Sequence, residues 1–123
     1  MILILQQAIE DGELPYFPIF VDGMVRSVCD TYSLFPSYLQ QPLRRNLRRG
    51  SNLFFPTGGT VTAVKNQKQR EEVAVGEPCC IVSSSGMLTG GPSAYYASMM
   101  VDDPRNLIAI TGYQDEESPG RKL

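Results

Sequence analysis

The chain has 123 residues, of which 42% are hydrophobic, and 11 Lys and Arg against 13 Asp and Glu leave a net charge of −2. That composition suits one cytoplasmic domain with a core of its own: no apolar run approaches the ~20 residues of a membrane span, and MILILQQAIED lacks a signal peptide's basic lead and cleavage site. Histidine is absent, which excludes Ser/His/Asp and Cys/His catalytic units and removes the commonest transition-metal ligand. Three cysteines without CxxC spacing exclude a disulfide framework and point to buried free thiols.

Ile2, Leu5 and Ile9 recur at helical spacing, and Asp11-Gly12 ends that helix with a glycine suited to a left-handed cap. Nothing ahead of Ile2 caps the first turn. At the other end Ser118-Pro119-Gly120-Arg121 begins a helix that stops at Leu123, so residues 1–123 read as a single domain cut from a longer chain. Residues 17–21, FPIFV, form a short strand closed by Asp22-Gly23, with Pro18 implying an edge position or a start just after it. From Met24, the positions Val25, Val28, Cys29 and Tyr32 make one buried helical stripe, broken at Phe35-Pro36.

Residues 38–50 form a second helical stretch whose Arg44, Arg45, Arg48 and Arg49 fall in two i, i+4 pairs. This basic face is either a phosphate-backbone track or, as the slightly negative overall charge favours, a solvated or partner-facing surface. A turn at Pro56-Thr57-Gly58-Gly59 leads to a short strand at 61–64. A polar helix of mixed, solvated charge follows at 66–73, closed by Gly76 and Pro78.

The organising stretch is PCCIVSSSGMLTGGP, from Pro78 to Pro92. Residues 79–83 read as a fully buried strand, glycines stand at 86, 90 and 91, and Pro92 suits the first turn of a helix over PSAYYASMM. In a strand–glycine loop–helix unit the loop backbone can approach a ligand closely, and its N–H groups suit an anion or phosphate. The alternative is that the glycines merely make tight turns. Asp102-Asp103-Pro104-Arg105-Asn106 is a turn rather than a metal site, and LIAIT, residues 107–111, is a third buried strand running into Gly112-Tyr113-Gln114.

Apolar strands separated by helices imply right-handed crossovers and an α/β fold, a mostly parallel sheet with helices on both faces. Ligands of such sheets bind outside the carboxyl ends of the strands. Asp22-Gly23, Ser83 to Gly86, and Thr111 to Gln114 should therefore gather along one rim.

SSSGML from Ser83 to Leu88, Gly90-Gly91, Tyr95-Tyr96, Asp103-Pro104-Arg105-Asn106, and Gly112-Tyr113-Gln114 with Gly120-Arg121 together resemble the β-CASP domain. So do FVDGM and Gln69-Arg70-Glu71. That domain is inserted into RNA-processing nucleases of the metallo-β-lactamase superfamily, such as ribonuclease J and the cleavage and polyadenylation endonuclease, and the wording here is closest to prokaryotic members. The resemblance implies a Rossmann-like lid that closes on a metallo-β-lactamase half, with RNA threading the cleft between them. It also implies that zinc sits in that other half, on an HxHxDH motif and further ligands that this chain lacks, so that this chain alone binds no catalytic metal and hydrolyses nothing. The residues implied to meet RNA or phosphate are Ser83, Ser84, Ser85, Gly86, Met87, Gly90, Gly91, Tyr113, Gln114 and Arg121. Arg121 is open between a phosphate contact and a structural salt bridge. Two further readings are a stand-alone module for a nucleotide or phosphorylated ligand, and an interaction domain that forms a homodimer.

Overall fold

The computed structural model describes residues 1–41, 44 and 52–123. Most of the basic helical stretch, including Arg45, Arg48 and Arg49, lies outside the described residues.

A parallel three-stranded sheet has the order β2-β1-β3, with β1 at Ile19–Asp22, β2 at Val61–Ala63 and β3 at Cys80–Ser83. β1 is central although Pro18 precedes it. The proline has no N–H to donate, so the strand starts after it, and its carbonyl still accepts the Cys80 N–H at 2.9 Å. The register pairs Ile19 with both Val61 and Cys80, and Asp22 with Ser83, which sets the ends of β1 and β3 side by side.

Alternation along β1 divides the core between the two faces of the sheet. Ile19 and Val21 are fully buried with Ile2 of α1 (Ile2–Glu10) and Cys29 of α2 (Met24–Leu34). Phe20 packs on the opposite face with Val73 of α3 (Gln67–Ala74) and Tyr96 of α4 (Gly91–Met100). Helices thus cover both faces, as the sequence implies. A short terminal helix, α5 (Pro119–Lys122), follows Ser118. No helix among the described residues is long and apolar enough to cross a membrane.

Three expectations need correction. Residues 107–111 form no strand, and Leu107 is 91% exposed. β propensity expresses packing against neighbours more than a backbone preference, and among the described residues no strand pairs with the segment. The sheet takes the short segment β2 as its third strand instead. β3 is consequently an edge strand, and it is half-buried apart from Val82, with Cys79 and Cys80 half-buried while Cys29 alone is buried. The α2 stripe is also shallower than its spacing suggests, because Cys29 reaches the core while Val28 and Tyr32 stay exposed.

Candidate nucleic-acid interface

The ends of β1 and β3 meet through one close contact. Gly23 has φ 70°, and a Cβ built there would stand 2.8 Å from Ser84 Oγ and 3.1 Å from the Pro92 ring. Only glycine fits both the conformation and the space. Relieved of a side chain, the Met24 N–H at the start of α2 reaches Ser84 Oγ and donates to it at 3.1 Å.

Beneath this contact lies a buried carboxylate, Asp22, whose partners are distant in sequence. Asp22 is 2% exposed. Arg70 of α3 donates to both its oxygens, from Nε at 2.7 Å and Nη2 at 3.0 Å, and Tyr96 of α4 donates its hydroxyl at 2.9 Å. The Gly23 N–H adds a fourth bond at 2.7 Å. Burial pushes the Asp22 carboxyl up, but the hydrogen bonds from Arg70, Tyr96 and Gly23, with the Arg70 charge, outweigh it and hold the group below its ordinary value. Arg70 is raised in return, chiefly by that hydrogen bond, and burial together with the carboxylate drives the Tyr96 phenol up. Arg70 is therefore not part of a solvated face, whereas the exposed pair Lys68–Glu72 at 3.9 Å is. The knot fastens α3 and α4 to the end of the central strand.

The loop after β3 is tied down by its oxygens. The Ser84 carbonyl accepts the Ser93 N–H at 3.0 Å, and the Ser85 carbonyl accepts the Ser93 hydroxyl and the Leu88 N–H. Gln114 Nε2 donates to the Gly86 carbonyl at 3.0 Å, and the Gly120 N–H donates to the Met87 carbonyl at 3.0 Å. Four successive carbonyls are thus occupied. Among the described residues, no acceptor receives the N–H of Ser85, Gly86 or Met87. Gly86 is exposed, and a Cβ there would meet nothing within 4 Å. A run of N–H groups without a described acceptor, with the Ser84 and Ser85 hydroxyls beside it, has the polarity to hold an anion.

The segment after residue 111 reaches the same rim without being a strand. Its anchor is Gln114, whose amide donates to Gly86 and whose Oε1 accepts the Ser118 hydroxyl at 3.2 Å. Gly120 leaves no room for a side chain, since a Cβ would strike Gln114 Oε1 and come within 3.3 Å of the Met87 carbonyl. Arg121, next along, is exposed, and no carboxylate among the described residues pairs with it. The Tyr113 ring is 76% exposed. Ser83 and Gly90–Gly91 flank the loop, and Gly91 has φ 71° where the chain turns into α4. The structure therefore brings all ten candidate residues to one rim.

Arg44 does not reach the loop through any described contact; its Nη2 donates to the Leu39 carbonyl at 3.1 Å. Asp103 is clasped by Arg105, with Nη2 to Oδ2 at 2.7 Å, and the hydrogen bonds and charge of that arginine bring the exposed carboxyl down to about 2. The sequence has no histidine, and among the described residues no three Cys, Asp or Glu side chains gather.

Parallel strands flanked by helices, with a serine–glycine loop at the carboxyl end of β3, define an open-sheet α/β domain. The chain belongs to the Beta-Casp domain family, whose model matches residues 1–123. It is 34% identical over 124 residues to transcription termination factor FttA of Methanothermobacter thermautotrophicus, a match covering 100% of this chain and 19% of that protein. The protein of the same name in Pyrococcus abyssi is 37% identical over 108 residues, covering 86% and 16%. That of Methanosarcina mazei is 30% identical over 125 residues, covering 100% and 19%. The chain spans about a fifth of the length of these curated relatives.

Proposed function

We propose that this chain is the RNA-clamping lid of a metal-dependent ribonuclease, catalytically incomplete by itself, with RNA and a metallo-β-lactamase domain of the same protein as its partners. The observation that carries this reading is the serine–glycine loop, in which the carbonyls of residues 84–87 are spent within the chain while the N–H groups of Ser85, Gly86 and Met87 are not. A phosphodiester seated there accepts those N–H bonds and a hydroxyl from Ser84 or Ser85. Tyr113 offers its exposed face to a base, which stacks without regard to sequence, and Arg121 adds a charge beside Met87. Gln114 acts one step back by fixing the Gly86 carbonyl.

No hydrolytic step runs through these residues. In this reading the zinc and its water belong to the lactamase half, and the lid positions the strand and excludes solvent. The name the relatives carry, transcription termination factor, supports a transcript as the RNA; a cytoplasmic location belongs to the same reading.

Gly86→Val tests the reading with little risk to the fold, because the added side chain meets open space. Labelled single-stranded RNA should bind the variant about tenfold more weakly, the loss of roughly one charge-assisted hydrogen bond or more. Unchanged affinity in fluorescence anisotropy would sink the loop as the contact.

A further inference from the structure

The rim has a second recess. Between the ends of β1 and β2 lies a cleft of about 320 Å³, lined among others by Asp22, Arg26, Ser27, Lys65 and Arg70. Arg70 neutralises Asp22 through its paired hydrogen bonds, so the uncompensated charge comes from Arg26 and Lys65. Neither is in an ion pair among the described residues.

Arg26 is fixed through its side chain and Lys65 through its backbone. Arg26 is half-buried, and its Nη1 donates to the Val64 carbonyl at 3.0 Å, which fixes the guanidinium over the cleft and leaves Nε and Nη2 without a described acceptor. The Val64 N–H in turn donates to the Val21 carbonyl at 2.9 Å, closing the floor between the two strands. Lys65 is anchored by its backbone, for its N–H donates to Gln69 Oε1 at 2.9 Å while Asn66 Oδ1 accepts the Gln69 N–H at 2.9 Å. This reciprocal cap fixes the base from which the ammonium reaches. The Ser27 hydroxyl has no described acceptor either.

Sheet order places this cleft beside the serine–glycine loop. Along the rim the endings run β2, β1, β3, so Lys65 and the loop stand two strand spacings apart, about 10 Å, with Gly23 between them. We propose that the cleft is a second phosphate position, taking a phosphodiester of the same RNA strand that crosses the serine–glycine loop, with Arg26, Lys65 and Ser27 as its donors. The proposal rests on the RNA reading of that loop.

The test is the salt dependence of binding to a labelled oligouridylate, with uridine monophosphate and inorganic phosphate as separate competitors. Lys65 is exposed, so Lys65→Gln should leave the thermal midpoint unchanged. It should reduce the slope of log affinity against log salt by about 0.7, and Arg26→Gln/Lys65→Gln should reduce it by about 1.4. Unchanged slopes in both variants, while Gly86→Val still weakens binding, would overturn the cleft and spare the loop. No binding by the unaltered protein would overturn both. Amide shifts at Arg26 and Lys65 caused equally by the mononucleotide or phosphate, with no change of slope, would assign the cleft to a small phosphorylated ligand and overturn the strand path.

Discussion

Gly23 joins the two kinds of order on this rim, the buried and the exposed. Its neighbour Asp22 is bonded into the core, and its own lack of a side chain lets the Ser84 hydroxyl meet the start of α2. Gly23→Ala adds a strained positive φ and a clash with Ser84 Oγ and Pro92. It should lower stability to urea by about 1–3 kcal/mol. Combining it with Ser84→Ala should recover part of that loss, since the two positions share one space; strict additivity would show that the clash is absorbed elsewhere. The Asp22-Gly23 ending was legible in the sequence, and so was the glycine loop. The bond between them was not, because Met24 and Ser84 are 60 residues apart, and Arg70 and Tyr96 lie 48 and 74 residues from Asp22. Periodicity reports which face is buried; it carries no information about which polar groups meet beneath it.

At the scale of elements, what could be read was helix and strand identity wherever an amphipathic stripe or a cap was present. Asn66 ahead of Gln69 is a cap with a sequence signature, and α3 starts there. Residues 107–111 have the composition of a strand without the neighbour that makes one. They leave exposed apolar side chains at Leu107 and Ile110, and the outer edge of β3 pairs with nothing among the described residues. Open edges and unpaired apolar segments pair with other chains. Light scattering of the isolated chain should therefore show a mass that rises with concentration, and Leu107→Lys should return it toward the monomer. A monomer at every concentration would mean that the edge is already covered.

Across the whole molecule, the two helices of one sheet face, α3 and α4, are held to the rim by the Asp22 knot, and its titration should appear in global stability. The folded carboxyl lies below its ordinary 3.8. Its contribution is therefore complete above about pH 5 and is lost as pH falls from there through 3.8 and the folded value. Tyr96 has the opposite sign: its value is raised above 10.0, so its contribution is complete below pH 10 and fades as pH rises past it. Urea midpoints measured across this range should form a plateau with both shoulders, and Asp22→Ala should flatten the acid one. An acid shoulder unaltered in that variant would place the titrating group elsewhere.

The strand order has a last consequence. A linear ligand laid across the rim meets residue 65 first, then 23 to 27, then 84 to 87, and then 113 to 121, so it reads the chain as a shuffled text. No continuous stretch of polypeptide spells the track. In the proposed reading, occupancy of the whole path therefore requires the finished topology, and binding of a long strand reports that the fold is complete.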